Sequence, residues 1–203
     1  MTKFVIKFRR NAQFSMAQIL LMSVIFLGFV HHDDGVISWS ATKKLSWADF
    51  HGTPSKFSEF KASTSSKISL DCQTEDAVLN CYVQAKFIKS KSWVKEGEAS
   101  DLLLIHEQRH FDLTEYSSRC LKEAISSYKF RSMKTLYTEL DSIYKQYKSA
   151  NVELQYEYDD HTEHSKNRNQ QEVWNKKIDS LLSSKSQFED IHLQVNIGYL
   201  YRP

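Results

Sequence analysis

The chain has 203 residues with 41% hydrophobic content, which suits one folded domain with a proper core and argues against two. Its formal net charge of +2 depends on Lys3, Lys7, Arg9 and Arg10; the remainder, whose first acid is Asp33, sits at −2 and offers no electrostatic footprint for a nucleic-acid partner. Five Gly and two Pro predict long regular elements, mostly helical in the second half, without low complexity or internal repeats.

Residues 1–30 combine that basic start with an apolar run from Met16 to Val30, the pattern of a signal peptide. Interrupted by Gln18 and Ser23, the run is short for a bilayer span, which needs about twenty apolar residues. An uncleaved anchor stays open because no clear Ala-x-Ala site follows, whereas a lipid anchor is not expected because no Cys lies near the end of the run. The charge bias keeps the basic end in the cytoplasm and sends residues 36–203 out, to be periplasmic, secreted, or held at the inner membrane through residues 16–30.

Val36–Ser40 and Leu45–Phe50 read as two short strands, or a strand and a turn, closed by His51-Gly-Thr-Pro54. Lys67–Asp71 and Tyr82–Ile88 alternate as strands do, with Gln73–Ala77 as the turn, and in an exported chain Cys72 and Cys81 pair across that hairpin. Lys86, Lys89, Lys91 and Lys95 follow the same stretch and read as a solvated face. Cys120 is expected to be a buried free thiol, facing Tyr116 and Ala124.

From Ala99 to Tyr128 the periodicity turns helical, with Ser100 as the N-cap. A second helix is expected over Lys134–Ala150, where Leu136, Leu140, Ile143, Tyr144 and Tyr147 recur at helical spacing. Tyr156–Asp160 reads as a loop or edge strand. A third helix follows over Asn169–Ser183, with Val173, Trp174, Ile178, Leu181 and Leu182 on its apolar side, and Phe188–Tyr201 alternates again. The class is α+β, a small antiparallel β portion leading into helices.

Inside the first helix stands His106-Glu107-Gln108-Arg109-His110. Two histidines four apart on a helix point the same way and can close on one zinc ion, with a glutamate beside it. By itself the motif could fall on a solvated helix; the downstream cluster Tyr158-Asp-Asp-His-Thr-Glu-His164 argues otherwise by offering a third ligand. His164 is the first choice, with Asp159, Asp160 and Glu163 as acceptors that orient it; His161 and Glu163 are the alternatives. Glu107 cannot easily join the same tetrahedron as His106, but it can take a proton from the attacking water and pass it to a leaving amine. Tyr158 is the nearest candidate for a second electrophile on the oxyanion. Arg109 with Asp112 and Glu115 with Arg119 read as intrahelical ion pairs.

Leu45–Pro54, Ala62–Ser66, Ser92-Trp-Val, His106–Glu115 and Tyr158–Ser165, with Gln170 or Gln171 and Trp174 beyond, make the chain resemble a bacterial family of predicted secreted zinc-dependent proteases over roughly residues 36–183. The resemblance implies a zincin-like domain over 36–203, with His106, His110 and His164 at the metal positions and Glu107 as the base. One position departs: this chain has His161 where the family carries an acid. The expected function is an exported zinc metallopeptidase acting on peptide or protein substrates. The rival expectation is a zinc-stabilised binding or structural module of the cell envelope, without turnover.

Overall fold

The computed structural model describes residues 35–201. Val36–Ser38 form β1, and Trp47–Asp49 a 3-10 turn, so that stretch is a strand followed by a turn. Ala62–Ser63 (β2), Ser66–Glu75 (β3), Val78–Ile88 (β4) and Trp93–Val94 (β5) complete the β portion before the helices. β3 and β4 pair antiparallel from Ser66↔Phe87 to Glu75↔Val78, and β1 lies antiparallel on the other edge of β4. β2 and β5 form a separate two-stranded antiparallel ladder. Gly52 has no room for a side chain, since a Cβ there would come within 2.9 Å of the Ser92 carbonyl oxygen.

Alternation decides which face of the hairpin is buried. On β4, Leu79, Cys81, Val83, Ala85 and Phe87 are fully buried, while Tyr82 on the opposite face is largely exposed. Cys72 sits directly opposite Cys81 and the two form a disulfide, as their spacing predicts. The connecting turn is only Asp76-Ala77, with φ of 47° and 62°. Two left-handed residues match the twist of the flanking strands, but Ala bears a Cβ that this region disfavours. Ala77→Gly is therefore expected to stabilise the fold by about 1 kcal/mol, read as a higher urea midpoint at unchanged slope.

Asp101–Ser127 (α1) begins where its cap predicts: the Ser100 hydroxyl accepts from the Leu103 backbone N–H. Leu136–Thr162 (α2) starts close to the expected position but runs twelve residues past Ala150, so Tyr156–Asp160 is helix, not a loop or edge strand. The extension has no Gly or Pro; Leu154 and Tyr158 pack against α1 and the following helix, and Thr162, four residues on, is buried. Arg168–Ser184 (α3) matches the expected third helix, capped by the Asn167 side chain. Within it Trp174 and Ile178 are buried, whereas Val173 is more than half exposed. His192–Asn196 (β6) then returns to pair with β4 beside the hairpin turn, so the alternating tail is a strand of the same sheet.

Among the described residues α1 packs against sheet and helices alike and carries three apolar contacts along its length. Near its C-terminal end Leu121 and Ile125 pack with Leu79, Val83, Leu136, Leu140 and Ile197 between sheet and α2. Phe111 meets Phe87 and Phe50 on a second side, and Leu113 meets Tyr158, Trp174 and Ile178 on a third. Two ion pairs run along it: Arg119 Nε donates to Glu115 Oε1 at 2.8 Å, and Arg109 to Asp112 Oδ2 at 3.1 Å, the intrahelical pairs that the spacing predicts. Lys122, buried among these helices, donates to the Asp190 carbonyl at 2.7 Å. Cys120 is a free, half-buried thiol whose pKa burial pushes up. These elements belong to one compact unit of α+β class. Residues 1–30 lie outside the described residues, and no helix among the described residues is long and apolar enough to cross a membrane.

Candidate metal centre

The site arises from two antiparallel helices in register. Along α1, His106, His110 and Thr114 recur every fourth residue; along α2, Asn151, Gln155 and Asp159 do the same, and the rows meet with His106 opposite Asp159 and His110 opposite Gln155. His106 Nε2 and His110 Nε2 are 3.2 Å apart, and each is 3.1 Å from Asp159 Oδ1. These three residues form a group suited to hold a metal ion. Tetrahedral coordination with bonds of about 2.0–2.1 Å puts ligand atoms about 3.3–3.4 Å apart, close to this triangle.

The tautomers follow from the glutamine amides behind the rings. Gln171 Nε2 donates to the Tyr158 hydroxyl at 2.7 Å and to Asn175 Oδ1 at 3.0 Å, which turns its Oε1 toward His106 Nδ1 at 3.0 Å. Gln155 Nε2 donates to the His110 carbonyl at 3.0 Å and to Thr114 Oγ1 at 3.1 Å, which turns its Oε1 toward His110 Nδ1. Both Nδ1 atoms are thereby donors and both Nε2 atoms, in the neutral rings, are bare acceptors. Two lone pairs and a carboxylate oxygen then converge, an arrangement that needs a cation or a shared proton to be stable. Burial works against charge on Asp159, but the His106 and His110 hydrogen bonds hold its carboxyl well below the usual range. Burial likewise opposes charge on His110, yet Asp159, then Glu107 and Gln155, push its pKa up.

Glu107 lies next to this triangle and lines the same cleft of about 620 Å³. It is 3% exposed, and its Oε2 is buried without a hydrogen-bond partner. Its backbone carbonyl accepts from Thr64 Oγ1 at 3.1 Å, which ties α1 to the strand side of the cleft. A buried carboxylate oxygen left unpaired is costly, and such costs persist where function requires them.

Several expected residues take other places. His164 lies beside the triangle and outside it: its Nδ1 is 3.3 Å from Asp159 Oδ1, and Asp159 occupies the third position assigned to His164. Glu163, His164 and Ser165 all adopt left-handed conformations, with φ of 49°, 51° and 72°, because the helix end is closed by the His164 amide on the Asp159 carbonyl. His161 faces away and accepts from Trp174 Nε1 at 3.2 Å, while Glu163 is exposed and accepts from Asn167. Asp112 keeps its expected pair with Arg109 and also accepts from Trp39 and Gln108.

Tyr158 is behind the histidines, not in front of them. Its ring stacks on His106 with centroids 4.7 Å apart and meets His110 edge-on at 4.8 Å. The hydroxyl donates to the His106 carbonyl at 3.3 Å, and burial pushes its pKa far up. It therefore braces the imidazoles and has no free hydroxyl for an oxyanion. The orienting glutamines were only half visible in the sequence: Gln171 falls in the motif carried by the family resemblance, and Gln155 was signalled only by its four-residue spacing from Asp159. Comparison with protein-family models, with curated proteins and with solved structures finds no match to the chain.

Proposed function

We propose that the protein is an exported zinc-dependent metallopeptidase with His106, His110 and Asp159 as metal ligands and Glu107 as the general base. The observation that carries this reading is the buried, unpartnered Glu107 Oε2 beside three converging donor atoms at the wall of an open cleft. Two imidazoles and a carboxylate leave room for substrate at a zinc centre, as catalytic sites do. Zinc, when bound, would polarise the carbonyl of the scissile bond and make water more acidic. Glu107 Oε2 takes the proton of the attacking water and returns it to the departing amine. Gln155, Gln171 and Tyr158 hold the imidazoles in one tautomer and one orientation.

Export is supported by the basic-then-apolar run of residues 1–30 and by the Cys72–Cys81 disulfide, which belongs to an oxidising compartment. A peptide or protein is the substrate class, and residues 16–30 would give membrane association if they are retained.

A second reading, a zinc-stabilised module without turnover, draws on His164, whose Nδ1 stands 3.3 Å from Asp159 Oδ1 and which, as a fourth ligand, would close the site. Zinc content by elemental analysis, with casein and peptide-library cleavage by the full chain, separates the two. One zinc per chain with cleavage supports the peptidase, one zinc without cleavage supports the module, and absence of zinc overturns both. In the same protein Gln171→Leu is expected to weaken zinc binding by about 10–100-fold, measured by competition with a chromogenic chelator.

A further inference from the structure

The walls of the cleft differ in chemistry, and one of them is apolar and uncovered. On α2, Val152 and Tyr156 are four apart and stand one position along from Asn151 and Gln155, so they form a ridge beside the row that faces the histidines. Val152 is 44% exposed and Tyr156 71% exposed, although both are large and apolar. Phe60, on the segment leading into β2, lines the same cleft, is 48% exposed, and has its ring 4.6 Å from that of His164. Two separate elements thus converge three uncovered apolar side chains on one cavity. Single exposed hydrophobics are ordinary, but a convergent group inside a cleft marks a binding surface.

Charge narrows what can lie there. Among the described residues lining the cleft, Glu107 and Asp159 are the only acids, and both belong to the centre itself. Lys61 is tied to Glu98 at 2.6 Å, and Lys91 stands on the strand side with Thr64, Ser65 and Ser66. Apart from Asp159, which belongs to the centre, the α2 residues lining the cleft offer a basic side chain of the substrate no counter-ion, while an aromatic or aliphatic one would be covered by Phe60, Val152 and Tyr156.

Resting on the peptidase reading, we infer that the cleft selects peptides with a bulky apolar or aromatic residue next to the cleaved bond, and that Phe60, Val152 and Tyr156 are the residues that set this preference. The test uses the zinc-loaded full chain in two measurements. The first is mass-spectrometric mapping of cleavage sites in a mixed peptide library, followed by kinetics on a matched pair of peptides carrying Phe or Gly at the selected position. The second is calorimetric binding of phenylalanine hydroxamate against glycine hydroxamate.

Enrichment of Phe, Tyr, Trp or Leu beside the cut is expected, together with tighter binding of the phenylalanine hydroxamate. Tyr156→Ala and Phe60→Ala, at unchanged zinc content, should each narrow the Phe-over-Gly ratio in kcat/KM by about tenfold, carried by KM, and Tyr156→Phe should restore it. Cleavage without residue preference, or a preference that survives both alanine variants, overturns the inference and leaves the peptidase standing. Preferential binding of the aromatic hydroxamate without any cleavage keeps the apolar wall and overturns the peptidase. Neither cleavage nor preferential binding overturns both.

Discussion

Asp159→Ala is expected to weaken zinc binding by more than about 100-fold, while His164→Ala changes it by less than about tenfold. The difference comes from where each side chain stands. Asp159 Oδ1 is 3.1 Å from both Nε2 atoms and is delivered by the same helix face that orients His110 through Gln155. His164 is 44% exposed on a left-handed turn, with its Nδ1 3.3 Å from the same Oδ1 and its ring against Phe60. Removing Asp159 therefore takes away one corner of a triangle already at coordination spacing; removing His164 takes away a neighbour. Chelator competition on the two variants and the wild type reads the effect directly. A larger loss in His164→Ala would return the third position to His164 and favour a closed, non-catalytic centre.

That contrast also shows where the sequence was informative. His106 and His110 were legible because a four-residue spacing inside one helix is a local property, and the helix itself was announced by the Ser100 cap and an uninterrupted run free of Gly and Pro. The disulfide was legible for the same reason, since Cys72 and Cys81 flank a single hairpin turn. Asp159 was harder. It lies in a polar stretch whose helicity rests on Leu154 and Tyr158 packing against other helices, so tertiary burial and not intrinsic preference carries α2 past Ala150. Once that stretch is helix, Asp159 turns inward four residues after Gln155, and His164 moves to the helix end. The placing of Asp159 rather than His164 at the third corner follows from the longer helix. Tyr158 shows the complementary limit: its neighbourhood to the site was readable, but whether its hydroxyl faces substrate or the His106 backbone depends on α3, which brings Gln171 against it.

Glu107→Gln is expected to lower kcat by about 10²–10⁴-fold with zinc content unchanged, and at the same time to raise thermal stability. Both halves follow from the same atom. Oε2 is buried without a partner, so the folded chain carries a desolvated carboxylate oxygen, which the proposed mechanism uses to receive a proton from the attacking water. An amide of the same shape removes the charge and with it the larger part of that desolvation cost, a gain of about 1 kcal/mol or more, but it cannot act as a base. The backbone carbonyl of residue 107 still accepts from Thr64, and His106, His110 and Asp159 keep their places, so metal and fold are retained. Calorimetric unfolding of the metal-free protein, zinc analysis and peptide cleavage on the one variant test the three consequences together. Cleavage at the wild-type rate would remove Glu107 from the chemistry, whereas loss of cleavage with a higher Tm and full zinc identifies a residue whose position costs the fold stability and serves the reaction.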